Sequence, residues 1–281
     1  RIGIPMPMDK VEKGIKQAVS ELSATGGNKA ARAIMTTDTF PKESAVEFDL
    51  QDKKAHIGGM VKGAGMINPN MATMLCFMAT DVCIDPDLLQ ESLKSAVERS
   101  FNMICVDGDM STNDTVILLA NGKAGKKIEK HENYEEFLSA LSHVTLSLAK
   151  MIAKDGEGAT KFVEMRIKGA KNYQDARIAG HSIARSPLVK TALFGENPNW
   201  GRIMSSLGAS GAEINPFSVD IWLDDLKIVE NSVGAGFSEE AVRRILKKAE
   251  FIITVDLKIG DAQATIWTCD LSYDYIKVNI T

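Results

Sequence analysis

The sequence is poor in cysteine and histidine. Four cysteines, at 76, 83, 105 and 269, are spread through 281 residues with no C-x-x-C pair. That excludes a disulfide scaffold and predicts free, mostly buried thiols in a reducing compartment. His56, His131, His143 and His181 stand apart from one another and from the cysteines, so no zinc ligand set is expected. An excess of one charge is also missing. The formal net charge of -4 gives no bulk electrostatic pull toward nucleic acid. No apolar run reaches the length of a membrane span, and the segment from Arg1 to Met8 lacks the apolar core of a signal peptide. No internal repeat or low-complexity linker interrupts the chain.

Several common motifs fail on inspection. Gly122 to Lys127, "GKAGKK", lacks the phosphate-loop spacing, and "KGAGMIN" from Lys62 is not G-x-G-x-x-G. "GASG" at 208–211 is not the G-x-S-x-G of a nucleophile elbow. The twelve residues from Asp107 carry Thr112 and Leu118 where a calcium loop needs Gly and Glu. A hairpin loop rich in side-chain-to-backbone turns explains them better.

What is present is a mixture of helical and strand patterns. Asp9 and Glu12 have capping-box spacing, ahead of an apolar face of Val11, Ile15, Ala18, Val19 and Leu22. That helix should end near Thr25–Gly27. "ARAIMTTDTFPK" reads as a short apolar strand running into Thr36, Thr37 and Thr39. Asp85–Pro86 opens a second helix carrying Leu88, Leu89, Leu93 and Val97. "MICVDGDMSTNDTVILLANG" reads as two apolar strands around a polar loop. Asn133 and Glu136 open a third helix, with Phe137, Leu141, Val144, Leu148 and Met151 inward, stopping at Asp155–Gly156. A strand follows from Phe162. Helical segments span about 176 to 209, broken at Pro187 and at "GENPNWG". "FSVDIWL" is a strand, and Ser238 caps a helix bearing Val242, Ile245, Leu246 and Ala249. The stretch from Phe251 reads as a β-hairpin turning at Gly260–Asp261. The class is therefore α/β, mixed α and β with a partly antiparallel sheet. A second, smaller α/β unit is expected toward the C-terminus, from about residue 190.

One stretch stands out chemically. "KGAGMINPNMATML", Lys62 to Leu75, is poor helix and poor strand, and it delivers Ala72–Thr73 as a shaped loop would. Most threonines are only polar. A threonine hydroxyl can, however, attack the carbonyl before it, form an ester, and after hydrolysis keep a free α-amine. That amine has an ordinary pKa of about 7.7–8.0. One residue then carries both nucleophile and base. Ala72 leaves its carbonyl open, and the β-methyl of Thr73 narrows χ1. Lys62 could lower the pKa of the amine or bind a carboxylate.

Five words in order, "KGAGMINPNMATML", "SFNMICVDGDMSTNDTVILLANG", "DGEGATK", "ENPNWGRI" and "CDLSYDYIKVN", closely resemble the ornithine acetyltransferase (glutamate N-acetyltransferase) family of arginine biosynthesis. The resemblance covers essentially the whole chain. It implies layered sheets flanked by helices in a self-cleaving fold, with cleavage at Ala72–Thr73. Residues 1–72 would be the α chain and 73–281 the β chain, associated as a cytoplasmic α2β2 heterotetramer. Thr73 would take the acetyl group of N-acetylornithine and pass it to glutamate. The substrate-binding positions carried over by motif are Thr36, Lys62, Thr73, Glu157 and Asn279. No cofactor or metal is implied, and acetyl-CoA is open as a second donor. The family's oxyanion Thr-Gly pair would fall just before Arg1 and a further substrate threonine just after Thr281, so a longer parent chain is expected. A related self-cleaving amidase or aminopeptidase, using water as acceptor, and a non-catalytic remnant are the competing readings.

Overall fold

The computed structural model describes residues 3–51, 53–68 and 74–280. Two sheets build the fold. The first runs β1-β2-β3-β5, from β1 (Lys42–Leu50), β2 (Lys53–Lys62), β3 (Leu75–Thr80) and β5 (Thr115–Ala120). β1 and β2 are antiparallel, as are β2 and β3, whereas β3 and β5 are parallel. The crossover between β3 and β5 carries α3 (Pro86–Glu98), a short 3-10 turn and β4 (Ile104–Cys105). β4 leaves for the other sheet, so the two strands of "MICVDGDMSTNDTVILLANG" lie in different sheets and form no hairpin.

The second sheet runs β4-β11-β6-β10-β7-β8-β9. Its strands are β4, β6 (Phe162–Ala170), β7 (Asp220–Leu223), β8 (Leu226–Glu230), β9 (Val233–Gly234), β10 (Glu250–Asp256) and β11 (Ala262–Cys269). The hairpin expected from Phe251 is not formed. β6 lies between β10 and β11, parallel to the first and antiparallel to the second. A short turn does not force pairing when a third strand offers buried apolar partners to both.

The long helix α4 (Tyr134–Lys154) packs on β1 and β2 of one sheet and on β4 and β11 of the other. Its Phe137, Leu141, Val144 and Leu148 are fully buried, as the helical spacing predicts; Met151 is only half-buried, and the neighbouring Ile152 takes the fully buried place instead. α5 (Tyr173–Ala184), α6 (Pro187–Phe194) and α7 (Trp200–Gly208) follow β6, and α5 covers β6 and β11. α8 (Glu239–Leu246) precedes β10, and α9 (Tyr273–Asn279) follows β11. Several helix starts follow the local rules. Asp85 accepts from the Asp87 N–H ahead of Pro86, and Ser186 and Ser238 cap α6 and α8. Cys76, Cys105 and Cys269 are buried free thiols, and Cys83 is exposed.

Two local readings near the start fail. α1 (Met8–Ser20) buries no residue; Ile15, Val19 and Leu22 are exposed, and Pro7 rather than Asp9 occupies the cap. The segment before the threonine cluster is α2 (Gly27–Ala33), a helix and not a strand. Three alanines in those seven residues favour helix more than a short apolar run favours strand.

Candidate active site

β2 ends at Lys62, which pairs with Leu75 at the start of β3. The loop after Lys62 is held by partners from three places in the chain. The Gly63 N–H donates to Asp38 Oδ1 at 2.7 Å. The Ala64 carbonyl accepts from the Glu157 N–H at 2.8 Å. Asp107 accepts from the Met66 and Ile67 N–H groups at 2.6 and 3.0 Å. The Ile67 carbonyl accepts from the Val106 N–H at 2.8 Å. The polar "DGD" turn after β4 thus uses its first aspartate to shape a loop. Ala72 and Thr73, the proposed cleavage pair, lie outside the described residues. Met74, the next described residue, donates its N–H to Asp114 Oδ1 at 2.8 Å.

Thr36 sits exposed in the bend before β1, its N–H donating to Asp38 Oδ2 at 3.0 Å. Asp38 therefore ties the Thr36 turn to the residue after Lys62. Burial alone would raise the Asp38 carboxyl, but the Gly63 and Thr36 N–H groups and the Lys42 ammonium outweigh it, so its pKa lies below the usual value. Lys42, fully buried, reaches Asp38 Oδ1 at 2.6 Å and Asp155 Oδ2 at 2.5 Å. Asp155 in turn accepts from the Thr39 N–H at 3.0 Å and from the Thr39 hydroxyl. The C-cap of α4 is Asp155 itself, two residues before Glu157.

Glu157 packs against Gly65, where a Cβ would lie 2.4 Å from the glutamate carboxyl carbon. Only a residue without a side chain allows that approach. Asn279 Nδ2 donates to Glu157 Oε2 and to the Tyr275 carbonyl, each at 2.9 Å. α9 is brought there by Ser272, whose hydroxyl donates to the Gly158 carbonyl at 2.5 Å and accepts from the Asp274 N–H. Gly158 has φ +68°, and a Cβ there would meet the Tyr275 nitrogen at 2.3 Å. The Tyr275 hydroxyl points to Asp107 Oδ2 at 3.4 Å. Burial, with the Asp107 and Glu157 carboxylates, pushes its pKa to about 12.

Thr36, Lys62, Glu157 and Asn279 are thus gathered by one network, although they are spread over most of the chain. The network's own residues, Asp38, Lys42, Asp107, Asp155 and Tyr275, were not singled out from the sequence. Nor was Asp114, whose Oδ2 is buried without a hydrogen-bond partner among the described residues. Burial pushes the Asp114 carboxyl up to about 6, against the opposing effects of the Met74 N–H and of Lys62. The only advance signal for these carboxylates was their place in turn-forming words such as "TTDT" and "KDGE". Among the described residues no three His, Cys, Asp or Glu side chains cluster as metal ligands, and no helix is long and apolar enough to cross a membrane.

Two sheets of mixed direction around a central helix, with a loop shaped by buried carboxylates, define a layered α/β protein. The chain belongs to the ArgJ family, whose model matches residues 1–281. It is 51% identical over 280 residues to the arginine biosynthesis bifunctional protein ArgJ of Symbiobacterium thermophilum, covering 99% of this chain and 70% of that protein. The protein of the same name from Geobacter sulfurreducens is 50% identical over 281 residues, covering 99% and 72%. The crystal structure of arginine biosynthesis bifunctional protein ArgJ from Bacillus halodurans matches with a TM-score of 0.71 at 42% identity. It covers 73% of this chain and 97% of that one.

Proposed function

We infer that the protein transfers an acetyl group from N-acetylornithine to glutamate, with Thr73 as the carrier. The reading is supported first by membership of the ArgJ family over residues 1–281. It is supported next by the gathering of Thr36, Lys62, Glu157 and Asn279 around the loop that leads to Thr73.

The chemistry runs in two stages. In maturation the Thr73 hydroxyl attacks the Ala72 carbonyl carbon. The C–N bond breaks, the nitrogen takes a proton, and water hydrolyses the resulting ester. The Ala72 carboxylate and the Thr73 α-amine are released. In turnover that amine takes the Thr73 hydroxyl proton as oxygen attacks the acetyl carbonyl of N-acetylornithine. Ornithine leaves with the proton, and an acetyl ester remains on Thr73. Glutamate's amine then attacks the ester, giving N-acetylglutamate and restoring the hydroxyl.

Both substrates carry an α-carboxylate. Lys62 pairs it, and Thr36 adds a neutral hydrogen bond. Glu157 pairs the side-chain ammonium of ornithine, and Asn279 orients Glu157. The cleaved α chain (1–72) and β chain (73–281) stay joined because β2 pairs with β3 and α4 packs on β1. An α2β2 assembly, a cytoplasmic location, no bound cofactor and acetyl-CoA as a second donor complete the reading.

The test is an exchange assay with N-acetylornithine and labelled glutamate. Labelled N-acetylglutamate with an equal yield of ornithine is expected, and none from Thr73→Ala. Free acetate without N-acetylglutamate would mean hydrolysis instead.

A further inference from the structure

The Asp38–Lys42–Asp155 triad joins two halves of the site that come from opposite sides of Ala72–Thr73. On one side, Asp38 holds the Thr36 N–H at 3.0 Å and the Gly63 N–H at 2.7 Å, the latter directly after Lys62. On the other, Asp155 caps α4 two residues before Glu157. Lys42 is the bridge, at 2.6 and 2.5 Å, and its side chain is wholly buried. Asp155 binds the first half a second time through the N–H and hydroxyl of Thr39.

A buried ion cluster is an expensive way to gain stability, because apolar residues of the same volume would serve as well or better. It does fix geometry. Two carboxylates and one ammonium, all without solvent, have few alternative arrangements. All four Asp38 and Asp155 oxygens are engaged, and they bind backbone N–H groups as well as Lys42.

We propose that Lys42 is a positioning residue that sets the span between the carboxylate-binding groups, Thr36 and Lys62, and the ammonium-binding Glu157. The triad thereby selects the side-chain length of the acetyl donor. The inference rests on the acetyl-transfer reading above. Lys42 touches no substrate; it acts through the turns that carry the groups which do. With the span so set, one methylene more than ornithine would carry the ammonium past Glu157. One methylene is worth about 10–200-fold in selectivity where a site is rigid.

The test compares kcat/KM for N-acetylornithine and N-acetyllysine in the purified enzyme and in Lys42→Arg. Arginine keeps the charge but replaces a point ammonium by a longer planar fork. The expected result is a drop of about tenfold or more in the ornithine-over-lysine ratio, carried mainly by KM. A role in stability alone would reduce the amount of active enzyme, lowering kcat for both donors alike and leaving the ratio unchanged. Should the guanidinium not be accommodated, Asp38→Asn is the second variant. It keeps one oxygen for the Gly63 N–H and Lys42 but removes the charge from that arm of the bridge and the acceptor of the Thr36 N–H, and the same loss of selectivity is expected. An unchanged ratio in a folded, active variant overturns the inference and leaves acetyl transfer standing. Failure of the unsubstituted enzyme to use N-acetylornithine at all overturns the acetyl-transfer reading and the inference with it.

Discussion

Lys42 Nζ lies 2.5 Å from Asp155 Oδ2, a buried contact made between residues 113 apart in the chain. If cleavage occurs at Ala72–Thr73, this ion pair becomes a bond between two separate chains. Losing one partner leaves an uncompensated charge in the interior. Lys42→Met is therefore expected to destabilise the protein by about 3–5 kcal/mol. Urea unfolding followed by circular dichroism measures this. Replacing Asp38 and Asp155 by Asn in the same protein should recover part of the loss, because the unpaired charges go with them. A single variant as stable as the parent would contradict the account of the triad.

Asp114 gives a prediction of opposite sign. Its folded pKa is raised to about 6 from an ordinary 3.8, chiefly by burial. The folded state therefore holds the proton more tightly than the unfolded state. The contribution to stability is fully present below about 4 and is lost as pH rises through about 6. Asp114→Asn keeps an acceptor for the Met74 N–H and removes the ionisation. With allowance for solvent screening, the gain at pH 7.5 relative to pH 4 is about 1 kcal/mol. That corresponds to a rise of about 2–4 °C in the Tm difference between variant and parent. Melting curves across that range test it. A difference that stays flat or falls with pH would contradict the assignment of cause.

Gly65 separates position from stability. A Cβ there would lie 2.4 Å from the Glu157 carboxyl carbon, at the far end of a flexible side chain. Gly65→Ala should therefore fold with little change in Tm, because Glu157 swings aside. Its carboxylate then leaves the place where it pairs the ornithine ammonium. KM for N-acetylornithine should rise about tenfold or more, with a smaller effect on glutamate. Equal kinetics in the variant would remove Glu157 from the donor site.

The thiols offer a simple check on the fold. Burial pushes Cys76 and Cys105 up to about 12, and it raises Cys269 as well. Thiolate is the reactive form. Native protein should consume one equivalent of a thiol reagent quickly, at Cys83, and the other three only on unfolding. Rapid reaction of two or more would contradict the placement of β3, β4 and β11.

The parts legible in the sequence were those decided locally. Asp85–Pro86 starts α3, and the inward face of α4 was set by residues three and four apart. What failed was decided at a distance. The segments of β10 and β11 read as a hairpin because each has strand character and a turn lies between them. Their partner β6 comes from about ninety residues earlier and inserts between them. The apolar residues of α1 have the right helical spacing but find no burial among the described residues. Lys62 and Glu157 could be named through family words, whereas the triad could not. Asp38 and Lys42 are four apart and look like any surface pair, and nothing local to Asp155 announces that both end up beside it.

The central claim is that Thr73 acts as a nucleophile, and the intact mass of the purified protein under denaturing conditions tests it most directly. Two species are predicted, Arg1–Ala72 and Thr73–Thr281 for this sequence, with the second beginning on a free threonine amine. A single uncut species that stays uncut on incubation would contradict the claim and leave Thr73 an ordinary threonine.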